Sequence, residues 1–518
     1  MTGHAGAHFE GFGEAAPLTL DLSPRAQAAL LDRIKNGTFD AFATAAAHVG
    51  HCAHPIRLTG TTTRIHAHTG EVLSVFRSQD QPLGVLYQRC GNRRESVCPS
   101  CSRLYARDTF EVIRCGITGG KNVPETVADN PLVFLTLTAP SFGAVHGTRN
   151  GKPCHPRREG KLCPHGRPVW CNTRHGADDD CLGQPLCQEC YRYDHHLMWQ
   201  WWAPELWRRF TIALGRHLAH LLGVKPSKLR DVCSIQFAKV AEMQTRGAIH
   251  FHALVRLDGP VAQGIGAPAP TSITAELLAA AARAAAVAVS YVAPAPHPSI
   301  KPVLLVFGSQ IDAKPVRTNH RPDDPDRELQ PAQVAGYLAK YATKDATAAK
   351  HGTTNPHLDR LAALCRTWCG HARGRDNLRR TGHDVREPVG KDGLDVYAHL
   401  GKWSHELGFR GHFSTKSRRY SITLGALRRA RARFQSLMAD QQRTGRHIDW
   451  STVDLLAEEK EDDTTLVLRD WAYDGTGWDT TADEALALAA AARAREYAQW
   501  KATTTHPHHS IPHHSKES

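Results

Sequence analysis

Two histidines and one glutamate near the middle of the chain could form a site for a divalent metal ion. His250 and His252 lie in the segment GAIHFHALV, whose apolar residues predict a β-strand. Strand side chains alternate, so both imidazoles project from one face, about 7 Å apart. Glu242 lies on the segment expected to pair with this strand as a hairpin, where it could supply a carboxylate oxygen. Two imidazoles and one carboxylate form a partly open site for Mg²⁺ or Mn²⁺, with coordination positions left for a phosphate.

Two tyrosines follow in the segment GYLAKYATK, within a stretch that begins like a helix at Pro331. Tyr337 and Tyr341 are four residues apart and therefore lie on one helical face. Lys340 and Lys344 form a second pair of the same spacing beside them. A phenol has a pKa of about 10 and attacks effectively only a phosphate that a metal ion or a cation polarises. We expect Lys344 to be that cation and Tyr341, three residues before it, to attack ahead of Tyr337.

Each motif also has an explanation without catalysis. The histidines could simply be the polar side of an amphipathic strand, and the tyrosines could lie half-buried on a surface helix whose lysines are solvated. The presence of both motifs in one chain favours the catalytic interpretation.

The scaffold that must position these residues alternates strand and helix signals. Strands are predicted at 133–138, 232–240, 248–257 and 302–311. Helices are predicted at 204–218, 272–290 and 331–344. A group of cysteines between Cys154 and Cys190 interrupts this order after the first strand. The order predicts an α+β domain in which helices cover an antiparallel sheet, similar to the ferredoxin-like plan.

The order of the motifs is similar to that of a known enzyme family. The strand FLTLT, then Glu242 with GAIHFHALV, then YLAKYATK resemble the HUH endonucleases, specifically rolling-circle replication initiators with two active-site tyrosines. Longer segments resemble the initiators of actinobacterial plasmids and integrative conjugative elements, and these segments are CGNRRESVCPSCSRLYARDTF, LGQPLCQECYRYDHHLMW and STKSRRYSITLGALR. The resemblance extends over roughly residues 48–430.

The resemblance implies a site-specific DNA endonuclease that nicks and rejoins one strand of a replication origin. His250, His252 and Glu242 would hold the Mg²⁺ or Mn²⁺ that polarises the scissile phosphate. Tyr337 or Tyr341 would attack it and form a 5′-phosphotyrosine, and the released 3′-hydroxyl would prime rolling-circle replication. The second tyrosine would cleave the completed origin and end the round. Two alternatives stay open, a two-tyrosine HUH transposase and a non-catalytic zinc-dependent DNA-binding regulator.

The chain has fourteen cysteines, and their spacing predicts two structural zinc sites. Two pairs have the C-x-x-C spacing with which thiolates bind one tetrahedral Zn²⁺. The predicted first site consists of Cys52, Cys90, Cys98 and Cys101. The predicted second site consists of Cys163, Cys171, Cys187 and Cys190. Four other residues could replace partners in the second set, namely Cys154, His165, His175 and Cys181.

Basic residues provide the candidates for DNA contacts. Arg93 and Arg94 follow Cys90 closely and could contact phosphates. A denser stripe, predicted to bind duplex origin DNA, consists of Lys416, Arg418, Arg419, Arg428, Arg429 and the arginines up to residue 433. For both sets a solvated surface is the alternative. A tryptophan-rich segment at 199–207 is interpreted as core rather than as a platform for unpaired bases.

Length and charge set the domain organisation. The chain has 518 residues and a net charge of +13, which favours a polyanionic partner. Residues 402–446 carry +9, whereas residues 447–518 carry −8. The predicted organisation is a helical or flexible segment at 1–50, a zinc-binding domain at 51–125, a nuclease domain at 126–350 with a zinc insertion at about 146–198, a basic DNA-binding region at 351–446, an acidic helical region at 447–500 and a disordered His-rich tail at 501–518.

Localisation and partners follow from what the sequence contains. No opening segment resembles a signal peptide, and the alanine-rich stretch 273–294 is interrupted by charges, so we predict a cytoplasmic protein without membrane segments. No Walker-type phosphate loop is present. The expected partners are therefore single- and double-stranded origin DNA together with a host helicase and polymerase.

Overall fold

The computed structural model describes residues 22–81, 83–157, 160–316, 331–342, 355–385, 388–450, 452–456 and 464–505. The helices are α1 (Pro24–Lys35), α2 (Phe39–His48), α3 (Pro99–Thr118), α4 (Tyr193–Leu221), α5 (Leu229–Val232), α6 (Ala275–Ala288), α7 (Pro331–Ala342), α8 (Pro356–Arg380), α9 (Leu424–Thr444) and α10 (Thr481–Thr505). The strands are β1 (Ile56–His66), β2 (Val72–Arg77), β3 (Leu86–Gln88), β4 (Leu132–Leu137), β5 (Ser234–Met243), β6 (Ile249–Asp258), β7 (Ser290–Ala293), β8 (Val303–Val306), β9 (Ile311–Pro315), β10 (Ser414–Lys416) and β11 (Thr465–Thr476). Helices combined with antiparallel sheets confirm the predicted α+β class.

The chain divides into two compact units. The first unit consists of Met1–Asn92, Val97–Ser102 and Glu459–Ser518. The second unit consists of Arg93–Ser96 and Arg103–Glu458. Of the predicted segments, residues 1–21 and the tail from residue 506 lie outside the described residues.

The first unit is built around β1. This strand pairs antiparallel with β11 along its whole length and also with β2 and β3. Trp478 follows β11 and stacks on Tyr87, with 4.8 Å between the ring centroids, and it also contacts Phe42 at 4.9 Å. Arg33 of α1 pairs with Asp483 of α10 at 2.9 Å, which fixes the two helices to one another.

The predicted acidic helical region at 447–500 contains a strand. Thr465–Thr476 form β11, in which half-buried and exposed side chains alternate over the first residues. This period-two pattern, together with Val467, Trp471 and Tyr473, is typical of a strand with one covered face. The acidic, alanine-rich composition from which this region was predicted carries no such periodicity, and among the described residues of 447–500 those of α10 are helical.

The second unit contains a five-stranded antiparallel sheet in the order β10, β5, β6, β4, β9. Alternation along the strands gives its two faces different cores. One face, which we call the α4 face, packs against α4, α6 and α8. The other face, which we call the α7 face, packs against α3 and α7. Both faces are therefore covered, although only one of them is apolar along the full length of β6.

The turn between β5 and β6 sets the register of this hairpin. Gly247 has a φ of +76°, in the left-handed region that favours glycine. A Cβ atom there would lie 2.8 Å from the side chains of Leu358 and Leu407. Gly247 N–H donates to Gln244 O at 2.8 Å, and Gln244 N–H donates to Ala248 O at 2.9 Å. A side chain at this turn would thus strain the backbone and displace its packing.

The region predicted as a fourth strand, 302–311, forms two strands. β8 pairs with β7 in a separate hairpin, whereas β9 lies at the edge of the large sheet beside β4. Gly308 lies between them, and a Cβ atom there would be 2.7 Å from Ala139 O. The backbone at Gly308 therefore passes close to that of Ala139 where the chain leaves β8 for β9.

The alanine-rich stretch is a packing helix. It forms α6, whose Leu278 and Ala282 are buried in the core of the α4 face. Thr274 caps the helix by accepting a hydrogen bond from Leu277 N–H. Within the described residues, no helix combines the length and the apolar content that crossing a membrane requires.

Candidate metal and tyrosine site

The β5–β6 hairpin brings the predicted metal ligands together. Antiparallel pairing places Glu242 directly opposite His250, and His252 lies two residues further along β6 on the same face. Glu242 Oε2 is 2.7 Å from His250 Nε2 and 3.2 Å from His252 Nε2. The three ligand atoms all lie within 4.8 Å of one another. One cation could bind all three.

Residues of β4 orient His252. Thr136 lies opposite His252 in the β4–β6 register, and its Oγ1 is 3.1 Å from His252 Nδ1. The ring of Phe134 stacks on the imidazole with 5.7 Å between centroids. A contact at Nδ1 fixes the ring so that Nε2 faces Glu242, an arrangement typical of metal-binding histidines. The FLTLT strand of the sequence contains both residues, and period-two alternation is the signal that could have assigned them to this site.

Burial favours the metal-binding form of His252. Burial lowers its pKa below the ordinary value, whereas the hydrogen bond with Glu242 acts in the opposite direction with a smaller effect. A lowered pKa keeps the imidazole neutral, and only the neutral ring has a lone pair to donate to a cation.

Tyr337 reaches the same cluster from α7. Its Oη is 3.3 Å from His252 Nε2, and its ring meets that of Phe134 edge-on at 5.9 Å. Val334 and Leu338, on the buried side of α7, pack into the core of the α7 face and hold the helix against the sheet. The Tyr337 side chain is 40% exposed, so a bound strand could reach its hydroxyl.

The other residues of the tyrosine motif are described in part. Tyr341 belongs to the last turn of α7, one turn after Tyr337, but its side chain lies outside the described residues. Lys344 lies outside the described residues altogether. Lys340 is exposed on α7. The preference for Tyr341 with Lys344 therefore stays a prediction.

The four thiols predicted as the first zinc site lie together in the first unit. Cys52 Sγ is 3.8 Å from Cys98 Sγ and 3.6 Å from Cys101 Sγ, and Cys90 N–H donates to Cys52 Sγ at 3.4 Å. With Zn–S bonds of about 2.3 Å, tetrahedral geometry requires about 3.8 Å between sulfurs. The Cys101 and Cys52 thiols lower the pKa of Cys90, whereas the pKa values of Cys52 and Cys101 are raised, because thiols this close together cannot all ionise without a cation between them.

The second predicted set is brought together except for one member. Cys163, Cys187 and Cys190 form a group with His165, whose Nδ1 is 3.3 Å from Cys190 Sγ and 3.8 Å from Cys187 Sγ. The structure places Cys171 in a different group of cysteines and histidines. His165, one of the four substitutes considered from sequence, takes the position assigned to Cys171.

Several residues predicted to contact DNA make internal contacts. Arg93 pairs with Glu406 at 2.5 Å, and its guanidinium lies 3.7 Å from the ring centroid of Phe413. Lys416 donates to Ser421 O at 2.7 Å, and burial lowers its pKa to about 8. Both side chains have structural contacts that were not visible in the sequence.

The remaining predicted DNA contacts differ in exposure. Arg94 is half-buried, and Arg419 donates to the carbonyl oxygen of Val261. Arg418 and the α9 arginines Arg428 and Arg429 are exposed. The exposed guanidiniums are the better placed of the set to meet a phosphate backbone.

Comparison with known proteins identifies the class. The model of the RepSA family, described as replication initiator protein, pSAM2, matches residues 38–492, so the chain is a replication initiator. A curated replication initiator protein from Streptomyces ambofaciens is 39% identical over 440 residues, which cover 83% of this chain and 84% of that relative. The chain therefore belongs to the RepSA family of plasmid replication initiators. No solved structure matches it.

Proposed function

We propose that this replication initiator nicks one strand of its origin DNA with a tyrosine nucleophile and later rejoins the ends. The observation that supports this function best is the position of Tyr337 Oη, 3.3 Å from Nε2 of His252 within a group of three potential metal ligands. Because the Tyr337 side chain is 40% exposed, a phosphate bound at this group could also reach its hydroxyl. The similarity to HUH endonucleases points to the same chemistry.

The residues of the site would have separate roles in the reaction. Glu242, His250 and His252 would hold Mg²⁺ or Mn²⁺, and the bound ion supplies the charge that polarises the scissile phosphate. We assign the first attack to Tyr337 rather than to Tyr341, which its spacing to Lys344 had favoured, because the Tyr337 hydroxyl lies beside His252. Its oxygen forms a bond to phosphorus while the bond between phosphorus and the 3′-oxygen breaks. The phenolic proton leaves to solvent, and the 3′-oxygen takes up a proton. The products are a 5′-phosphotyrosine and a 3′-hydroxyl that primes rolling-circle synthesis.

The second tyrosine would act when a round of replication ends. Tyr341 follows Tyr337 by one helical turn, so both residues belong to the same short helix. Tyr341 would cleave the regenerated origin while Tyr337 still carries the first 5′ end. The 3′-hydroxyl released in that step attacks the first phosphotyrosine, closes the circle and frees Tyr337. Lys340 and Lys344 would stabilise the charge on the phosphate.

The DNA partners are the single- and double-stranded forms of the origin. The exposed residues Arg418, Arg428 and Arg429 are the candidates for contacts with duplex phosphates. A host helicase would unwind the duplex after the nick, and a host polymerase would extend the 3′-hydroxyl.

The test is formation of a covalent adduct. The full chain is incubated with Mn²⁺ or Mg²⁺ and with overlapping single-stranded oligonucleotides that cover the origin, each labelled at the 3′ end. We expect a labelled band of protein size that survives denaturation, because the 5′-phosphotyrosine retains the labelled fragment. Y337F should remove this band, whereas Y341F should keep it, because the first cleavage uses Tyr337 alone.

A matched control is Y473F, which changes an exposed tyrosine of β11 in the first unit. It should give as much adduct as the unmodified chain. A gel shift without adduct under all metal conditions would instead support a non-catalytic regulator. An adduct that persists in the Y337F/Y341F double variant would contradict the tyrosine mechanism.

We further propose that two zinc ions stabilise the chain. One is bound by Cys52, Cys90, Cys98 and Cys101, and the other is bound by Cys163, His165, Cys187 and Cys190. The sulfur-to-sulfur distances of the first group support tetrahedral coordination. Four protein ligands at each site would leave no open coordination position for a substrate, which supports structural roles.

A further inference from the structure

The segment between β4 and α4 has too little apolar interior to hold itself together. Among its described residues, 138–157 and 160–192, no helix or strand is found, and pairing is limited to isolated bridges. Its large buried apolar side chains are Phe142 and Tyr191, which lie at the two ends. Leu162 and Val169, in its middle, are exposed. Segments of this kind require cross-links, and metal ions supply them where thiols stay reduced.

A group of cysteines and histidines in this segment is separate from the proposed zinc site at Cys163 and Cys187. His146, Cys154, Cys171 and His175 have ligand atoms that all lie within 4.8 Å of one another. We propose that these four residues bind a third zinc ion, so that the full chain holds three. This inference does not rest on the nicking activity.

The distances within the group match a tetrahedral zinc site. His146 Nδ1 is 3.2 Å from His175 Nε2, Cys171 Sγ is 3.4 Å from His175 Nε2, and Cys154 Sγ is 3.9 Å from His146 Nδ1. Zn–N bonds of about 2.0–2.1 Å and Zn–S bonds of about 2.3 Å require about 3.3 Å between two nitrogens and about 3.6 Å between nitrogen and sulfur. A single ion can therefore contact all four atoms with only small shifts.

A carboxylate orients one of the ligands. Asp179 Oδ2 is 2.8 Å from Nδ1 of His175, which leaves Nε2 facing His146 and Cys171. Metal-binding histidines commonly donate their second ring N–H to a carboxylate in this way. Cys181 Sγ is 3.4 Å from Nδ1 of His175 but 3.9 Å from Nε2, so it lies nearer the nitrogen that Asp179 contacts. We therefore leave Cys181 out of the ligand set.

The two zinc sites of the segment alternate along the chain. In chain order, the ligand pairs are His146 with Cys154, Cys163 with His165, Cys171 with His175, and Cys187 with Cys190. The first and third pairs form the new site, and the second and fourth pairs form the other. The backbone supports this arrangement, because His155 and Cys171 exchange two hydrogen bonds of 2.8 and 2.7 Å. Each ion would bind residues on both sides of a loop that carries ligands of the other ion. The segment, which has no apolar core, would thus contain two interlocked cross-links.

Metal content tests the proposal. The full chain is purified after expression with zinc, and zinc per chain is measured by mass spectrometry against quantitative amino-acid analysis. We expect three zinc ions in the unmodified chain and two in C154S/C171S. The same value of two is expected for C163S/C187S, and one is expected when both pairs are changed. C365S/C369S changes two buried cysteines of α8 outside all the groups and should retain three.

Ligand exchange separates a lost ligand from a misfolded segment. H146A should hold two zinc ions, whereas H146C should hold three, because a thiolate replaces the imidazole. After exchange of zinc for Co²⁺, H146C should show a stronger sulfur-to-cobalt charge-transfer band than the unmodified chain.

Several results would overturn the proposal. Two zinc ions in the unmodified chain would do so, as would three ions retained in C154S/C171S. C181S should keep three ions, and its loss of one while H146A keeps three would contradict the ligand set.

Discussion

The two faces of the five-stranded sheet in the second unit use the same strands for different purposes. On the α4 face, Phe251 and Val255 of β6 are completely buried in the larger core, beneath Trp207 of α4. On the α7 face, the neighbouring residues His250 and His252 form a polar cluster near the partly exposed Tyr337. Successive residues of β6 thus alternate between packing in the core on one face and candidate metal binding on the other.

The apolar face of the sheet can hold the polar cluster of the other face rigidly. Three ionisable side chains near one another contribute little to folding and cost desolvation energy. The apolar side chains that point the other way from the same strand supply the stabilisation instead. We therefore expect substitutions on the α4 face to change stability and substitutions on the α7 face to change activity.

The largest effect is expected for Phe251→Ala. Removal of this buried ring should lower the free energy of unfolding of the second unit by about 3–5 kcal/mol. Urea denaturation followed by tryptophan fluorescence measures it, because Trp207 lies 5.7 Å from the Phe251 ring. Y337F serves as the comparison on the other face and should change stability by less than about 0.5 kcal/mol. Equal losses of stability in the two variants would contradict the different roles of the two faces.

The double variant H250A/H252A should lose nicking without losing the fold. Removal of two ligands should reduce the rate of adduct formation at least about 100-fold, since a bound cation contributes several kcal/mol to the transition state. The rate is measured in single-turnover reactions with Mn²⁺, and the urea midpoint is measured in parallel. A rate within a few-fold of the unmodified chain would show that these histidines hold no catalytic metal.

Lys239→Met should stabilise the second unit and flatten its pH dependence. Lys239 projects into the α4 face, 4.3 Å from the ring centroid of Phe251, and burial lowers its pKa from 10.5 to about 7. Between these values the unfolded chain binds more protons than the native one, so stability rises with pH across that window. Methionine has no ionisable group and so removes the free-energy cost of burying Lys239. We expect about 1–3 kcal/mol of added stability at pH 7.

The control for that substitution is Lys402→Met, at an exposed lysine of the same unit. At each pH from 7 to 10, its urea midpoint should be almost the same as that of the unmodified chain. Parallel pH profiles for K239M and the unmodified chain would show that Lys239 is not held in its neutral form.

The smallest effect is expected for Thr136→Val, which keeps the shape of the side chain and removes its hydroxyl. Without the contact at Nδ1, His252 is less well oriented, and the Mn²⁺ concentration for half-maximal adduct formation should rise about tenfold. The maximal rate at saturating Mn²⁺ should change little. Thr138→Val is the control, because Thr138 Oγ1 donates to Gln310 O and does not contact His252. An unchanged Mn²⁺ requirement would remove Thr136 from the site.

Periodicity explains which parts of the fold could be predicted. β5, β6 and α6 lie close to the expected ranges, because their apolar residues repeat with the spacing of a strand or a helix. The pairing of β1 with β11 could not be predicted, because the paired residues are about 400 positions apart and no local pattern in either strand specifies its partner. The close backbone approach at Gly308, between β8 and β9, has no signature in one sequence.

The candidate site was predictable where neighbours in space are neighbours along a strand or hairpin. Glu242, His250 and His252 meet through a local turn, and alternation was sufficient to group them. The partners of the C-x-x-C pairs are joined by loops without periodicity, which is why His165 rather than Cys171 meets Cys187. The inward contacts of Arg93 and Lys416 depend on packing that charge counts do not describe.

The pairing of β1 with β11 has a consequence for how the protein is made. A ribosome releases residues 56–66 early and residues 465–476 only near the end of synthesis. Until then, β1 has no partner along the edge that β11 will occupy, and an unpaired edge invites association with other chains. The second unit, by contrast, has its whole sequence outside the ribosome first. A message truncated before residue 465 would therefore yield a chain with one complete unit and one permanently open edge.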